Sequence, residues 1–316
     1  MSLARTARLD AIDALRGAAL AGMFAFHLIW DLGYFHLVSP DLPYEPAVMG
    51  FGHVVAGSFL FLVGVSLAMA SRDGVNMPAF WRRLFLISAA AAGVSAATYW
   101  LFPESFIFFG ILHCIALSSL IALPLLRAPL WLVAFVMAAA LAAPLLIASP
   151  FFDAPQFWWL GLGTKEPLSN DWRPLLPYFG VVLAGLIAAR LMLARGLPAG
   201  ISDWRADSVA TRALTWGGRH SLLVYLIHQP IFLAVLFMAA RAISPQPALP
   251  PQAEPFVSSC SAQCVATGGG PQACRNVCSC IANEIGKEPP IWERLTREAL
   301  SPSDRESIDA FTRQCI

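Results

Sequence analysis

The chain predicts an all-α, polytopic membrane helix bundle of about seven spans, followed by a small disulfide-stapled helical module. Three observations predict it. Mean hydropathy is +0.63. Hydrophobic residues make up 57% of the 316 residues and charged ones 13%, against about 25% charged in soluble domains; a soluble fold of this size could not cover its surface with polar groups. Six of the seven cysteines lie between 260 and 315, beyond the last apolar stretch. A net charge of +1, with no basic run beyond short helix-flanking clusters, offers nothing to nucleic acid.

A stretch of roughly 20 apolar residues crosses a bilayer. After a short tail over 1–10, such stretches run over 11–33, 49–70, 84–102, 106–126, 129–149, 175–194 and 218–242, so the membrane domain covers 11–243. Arg5 and Arg8 before the first stretch superficially fit a signal peptide. No small-residue cleavage pattern follows, and the stretch carries Arg16 and His27, so it reads as a retained helix. The short Pro103–Ser105 link makes spans three and four a tight hairpin. Placing the N-terminus in the cytoplasm puts eleven arginines inside, from Arg5 to Arg219, and only Lys165, Arg173 and Arg241 outside. That bias fixes the orientation and leaves the C-terminus outside.

Span one carries ionisable groups where lipid disfavours them, and such residues mark sites by default. At about 100° per residue, Arg16 and His27 fall on nearly one helix face, with Asp13 and Asp31 within about 40° of it. Snorkelling to the interfaces accounts for Asp13 and Arg16 but leaves His27 unexplained. On span seven, Ser221, Tyr225 and His228 follow at i, i+4 and i+7, and Gln229 and Pro230 come next. Arg219 and His220 stand at its cytoplasmic mouth behind Gly217 and Gly218, which let the backbone approach an anion; a helix start adds its own attraction. The bland alternative is that Tyr225 and His228 hydrogen-bond neighbouring helices. His113 on span four, about 10 Å from its outer end, lines the same cavity or is a satisfied core histidine. His53 and His36 read as solvated. The aromatic outer loop over 150–173 reads as an interfacial belt, with a sugar-stacking surface as the alternative.

A Pro- and Ala-rich linker (244–256) leads to the cysteine-rich module over 257–316. Cys260-x3-Cys264 and Cys274-x3-Cys278 each put two sulfurs one helical turn apart, and Gly268-Gly269-Gly270-Pro271 breaks the helix between them. Two antiparallel helices stapled by Cys260–Cys278 and Cys264–Cys274, with Cys280 left for Cys315, satisfy the spacing among fifteen connectivities. The spacings match no common zinc pattern and the tail has no histidine, so no metal is expected; an even count in an oxidising compartment is the simpler account. Ser303-x-x-Glu306 reads as a capping box opening a last helix.

Arg8-Leu9-Asp10-Ala11-Ile12-Asp13-Ala14-Leu15-Arg16-Gly17 followed by His27-Leu28-Ile29-Trp30-Asp31-Leu32 resembles the opening of bacterial members of the heparan-α-glucosaminide N-acetyltransferase catalytic-domain family. Phe59 through Leu67, Gly110 through Ala116 and Gly218 through Pro230 extend the match over about 8–235. The Arg16-x10-His27 spacing and the Tyr225–Pro230 string also resemble the related acyltransferase-three membrane family. The resemblance implies transfer of an acetyl group from cytosolic acetyl-CoA to an extracytoplasmic carbohydrate, in a bacterial inner membrane with a periplasmic C-terminus. It also places a catalytic histidine in the loop after the first span, where His36 is nearest by position, so His27 and His36 both stand as the base. The cysteine-rich tail belongs to neither pattern.

The residues suit that chemistry. Acetyl transfer needs a base for the acceptor proton, and a neutral histidine serves near pH 7. Asp31, one turn from His27, is expected to orient its ring, with Tyr225 and His228 facing it. Arg16, Arg219, His220 and Ser221 are expected to hold CoA phosphates, with His113, Gln229 and His36 lining the acceptor cavity. A transporter of a small organic anion or sugar also wants buried Arg, His and Asp, but the chain shows no internal repeat or paired midplane interruption. A scaffold presenting the tail to a second copy or an envelope protein partner explains the tail and not the polar face.

Overall fold

The computed structural model describes residues 9–35, 37–39, 41–243, 253–296 and 300–315. Their regular elements are all helices, with no strand among them. The chain divides into two compact units, Met1–Phe237 and Met238–Ile316.

In the first unit, α1 (Asp10–Tyr34), α2 (Pro46–Ala70), α3 (Met77–Leu101), α6 (Leu175–Arg195) and α9 (Ser221–Ile243) are long and apolar enough to cross a membrane. The chain is a multi-pass membrane protein. The fourth and fifth apolar stretches form shorter helices than expected, α4 (Ile111–Ala122) and α5 (Leu130–Leu146). At 1.5 Å per residue these measure about 18 and 26 Å. Span four shrinks because its first residues are held in extended backbone by side chains of α3. Ser95 Oγ donates to the Ile107 carbonyl (2.6 Å), and the Ile107 amide donates to Thr98 Oγ1 (3.0 Å). The link between α3 and α4 is correspondingly longer than Pro103–Ser105.

The bundle centre is α2 against α6, with α5 packed on the other flank of α6. Leu60, Val182, Leu183 and Leu186 are fully buried there. Close approach depends on two glycines: a Cβ on Gly64 would collide with the Val182 carbonyl, and one on Gly185 with that of Phe61. A second close pair joins α1 to α8 (Val209–Arg219), an amphipathic helix that the apolar pattern does not reveal. A Cβ on Gly17 would strike the Leu214 carbonyl, and one on Gly218 the Asp13 carbonyl. Between α6 and α8 lies α7 (Ala199–Ser202), a single turn.

In the second unit, α10 (Ala253–Ala266), α11 (Pro271–Gly286), α12 (Pro289–Thr296) and α13 (Pro302–Cys315) follow. Residues 253–256, expected in the linker, already belong to α10, where Pro255 sits in the first turn and its missing N–H costs nothing; residues 244–252 lie outside the described ones. Disulfides join Cys260–Cys278, Cys264–Cys274 and Cys280–Cys315. Val257, Ile281, Ala282, Ile285 and Trp292 form the small core beneath them. The capping box of α13 is Ser301–Asp304, two residues before the expected Ser303–Glu306. The Ser301 amide donates to Asp304 Oδ2 (2.9 Å), and the Asp304 amide to Ser301 Oγ (3.2 Å). Pro302 at the first helical position places the start there.

Candidate active site

The polar stripe of α1 meets partners at both ends. Near the helix start, Asp13 Oδ1 accepts from Arg16 Nη1 (2.8 Å) and Asp13 Oδ2 from Arg219 Nε (3.3 Å). Arg219 also reaches Asp10 (2.6 Å), and Arg16 donates to Ser66 Oγ on α2. Ser66 Oγ donates in turn to the Leu62 carbonyl (2.5 Å). Two guanidiniums and two carboxylates thus tie α1 to α2 and to the end of α8, largely neutralised. The expected glycine cradle for an anion is absent. Arg219 ends α8, His220 is the break, and α9 starts at Ser221; Gly218 is spent on close packing against α1. His220 turns outward, its Nδ1 2.9 Å from the Trp216 carbonyl and its ring 4.8 Å from the Trp216 indole. It does not join the arginines.

Eleven residues further along α1, about 16 Å by helical rise, lies a second cluster. The His27 and His228 rings stand 5.0 Å apart, with Phe24, Phe232 and Tyr225 around His228. His228 Nδ1 is 2.5 Å from the Tyr225 carbonyl. A carbonyl only accepts, so the proton sits on Nδ1 and Nε2 presents a bare lone pair. That nitrogen is buried without a partner among the described residues. Asp31, fully buried, does not hold His27 as expected: its Oδ1 accepts from Gln229 Nε2 at 2.7 Å. Asp31 points instead across to α9, because Gln229 follows His228 there and supplies the nearest donor. Among the described residues, Asp31 Oδ2 and Gln229 Oε1 are left unpartnered beside it. Each orphaned buried polar atom costs about 1–3 kcal/mol. Three in one place mark a site kept for something other than stability.

The remaining candidates separate. His113 is the third residue of α4, in its first turn rather than 10 Å inside, because residues 106–110 are not helical. Its Nδ1 accepts from the Gly110 amide (3.2 Å), leaving Nε2–H for Ser95 Oγ (3.3 Å). Both nitrogens are used, so His113 caps a helix and fixes α3 to α4. His53 is exposed, and His36 lies outside the described residues. A crevice of about 660 Å³ opens between α1 and α2, lined by Ala18, Gly22, Val54 and Ser58. Ala18 and Gly22 lie about 140–180° round α1 from His27, so this crevice is not the passage to the histidines. Among the described residues no group of histidine, cysteine and carboxylate side chains is arranged to hold a metal ion.

The outer loop contributes residues that sequence reasoning treated as a belt. The indole N–H groups of Trp158, Trp159 and Trp172 are tied to loop carbonyls of Asp153, Gln156 and Trp158. Thr164 Oγ1 and amide bind Asp153, holding its carboxyl below the usual range. Asp171 Oδ2 accepts from the Ile111 amide (2.9 Å) at the start of α4, and its Oδ1 lies 3.4 Å from Arg173 Nε. The signal that a further acceptor was needed there is Gly110 at the helix start, which has no side chain to take the Ile111 amide.

Fold and site together define a class: a multi-pass helical membrane protein with a histidine pair, His228 buried and His27 half-buried, where α1 meets α9. The particular family follows from comparison. Residues 8–230 match the family described as heparan-alpha-glucosaminide N-acetyltransferase, catalytic, and the chain belongs to it. It is thereby a membrane acetyltransferase by family. No curated protein and no solved structure matches the chain.

Proposed function

We propose that the protein takes an acetyl group from cytosolic acetyl-CoA and delivers it to a hydroxyl or amine of an extracytoplasmic carbohydrate. The observation that carries this is the unpartnered Nε2 of His228, held basic-side out by the Tyr225 carbonyl and facing His27. In the reaction, the acceptor oxygen or nitrogen attacks the thioester carbonyl. Its proton passes to His228 Nε2, the C–S bond breaks, and the departing thiolate takes the proton. Arg16 lies about 16 Å away along α1, with Arg219 of α8 joined to it through Asp13; both suit CoA phosphates, which would replace the carboxylates of Asp10 and Asp13 as their partners. The arginine bias places that end inside and the histidine end towards the far leaflet. The membrane in question is the bacterial inner membrane, with the tail in the periplasm.

The test is purified protein in sealed vesicles, with radiolabelled acetyl-CoA outside and glucosamine or envelope glycans trapped inside. Label is expected on the trapped acceptor. Uptake of unacetylated sugar without label transfer would instead favour a transporter.

A further inference from the structure

The transfer step uses one of the three orphaned atoms, His228 Nε2. Asp31 Oδ2 and Gln229 Oε1 remain, both buried and both without a partner among the described residues. Neither the His27 ring nor the Tyr225 hydroxyl donates to them. The bond between the two side chains fixes their chemistry. A carboxylate oxygen only accepts, so the Gln229 amide turns its Nε2 to Asp31 Oδ1 (2.7 Å), and Oε1 is the atom left over. Two acceptor oxygens therefore lie either side of a single hydrogen bond, one of them on a side chain that is fully buried. A buried carboxylate met only by a neutral amide is costly. What relieves it is a ligand that brings two neighbouring hydrogen-bond donors.

Position says which ligand. Asp31 stands four residues beyond His27 on α1, about 6 Å by helical rise, on the side away from Asp13 and Arg16. Gln229 directly follows His228 on α9, and the two histidine rings are 5.0 Å apart. The transfer centre thus separates this pair from the arginines that suit CoA. The pair belongs to the acceptor's side and lies next to the base.

We propose that Asp31 and Gln229 are the acceptor-specificity residues, accepting through Oδ2 and Oε1 from two donors on ring carbons beside the group being acetylated. The acceptor class is then a ring with vicinal hydroxyl or amino groups, and an isolated amine or alcohol is a poor substrate. The two held donors keep their protons; only the reacting group gives its proton to His228 Nε2. The inference deepens the acetyl-transfer reading above and rests on it.

The experiment measures acceptor-dependent CoA thiol release from acetyl-CoA by the purified protein. Glucosamine is set against cyclohexylamine and glucose against cyclohexanol, each analogue keeping a ring amine or hydroxyl and losing its neighbours. For the sugar that reacts, kcat/KM is expected about 10⁴-fold above that of its analogue, the discrimination of a site whose buried polar groups would be left unpaired. Asp31→Asn, which puts a donor where Oδ2 accepts, and Gln229→Met should each cut that ratio by about 10-fold, with the acetyl-CoA KM within a few-fold. Equal kcat/KM for sugar and analogue in wild type overturns the proposal and leaves water as the partner of the two oxygens. A ratio unchanged in both variants, or a rate loss that is the same for sugar and analogue, makes the pair a packing feature and overturns it as well. If Asp31→Asn is not monodisperse in detergent, the Gln229→Met ratio decides. A wild type that releases no thiol with any of the four overturns the acetyl-transfer reading itself, a different failure.

Discussion

The bundle and the cysteine-rich tail reach fixed structures by opposite means. In the tail, three covalent bonds close loops of 10, 18 and 35 residues over a core of a few side chains. In the bundle, polar contacts join residues 198 and 206 positions apart, Gln229 to Asp31 and Arg219 to Asp13. Their geometry depends on glycines that let helices approach. Small modules lacking a sufficient core depend on staples, whereas a helix bundle in lipid depends on close packing and on polar groups finding each other. The tail should therefore fail when a bond is cut, and the bundle when a helix is pushed away.

Cutting the longest loop gives the largest stability effect. Cys280→Ala with Cys315→Ala should cost the tail about 2–4 kcal/mol, read as faster proteolysis within α11–α13, while acetyl transfer by the bundle is retained. Transfer lost in parallel would show that the two units are not independent. A smaller effect is expected from Gly218→Val, whose Cβ strikes the Asp13 carbonyl. Overpacking of this kind costs about 1–3 kcal/mol, and it also displaces Arg219 from Asp13. Thermal stability and acetyl-CoA affinity should fall together; affinity unchanged in a destabilised protein would separate the arginines from donor binding. The smallest effect concerns Asp304, whose carboxylate takes two hydrogen bonds from Arg294 and more from Ser301. These partners hold it well below its usual 3.8. A depressed folded value means that its contribution is complete above the unfolded value and fades as pH falls below about 4. Pepsin cleavage of the tail should accelerate between pH 4 and 2 in wild type, and Asp304→Asn should flatten that dependence.

The same contrast explains what was legible in the sequence. Cysteine pairing between α10 and α11 agrees with local rules, one turn between sulfurs and a glycine run to reverse the chain, which favour that arrangement among fifteen connectivities; Cys280–Cys315 was only the pair left over. The stripe of Asp13, Arg16, His27 and Asp31 follows from helical period as well. Its partners do not, because packing between distant segments chooses them. Asp31 goes to Gln229 instead of His27 for that reason, and Gly218 serves a helix contact instead of an anion. The α8 helix escaped notice because Gly217 and Gly218 look like a break. Ser208 and Thr211 form its capping box and were the available signal. Asp171 and Arg173 escaped because a loop rich in tryptophan reads as an interfacial belt, and only the fold brings it to the start of α4.

The central claim is that His27 and His228 act as one transfer centre. The most direct measurement is acetyl-CoA turnover by His27→Ala, His228→Ala and the double variant in the same vesicles. Residues acting as a unit are non-additive, so each single change should lower kcat by about 10²–10⁴-fold, and the double variant should be little worse than either. Wild-type turnover in His228→Ala, or losses that simply multiply, would contradict the account.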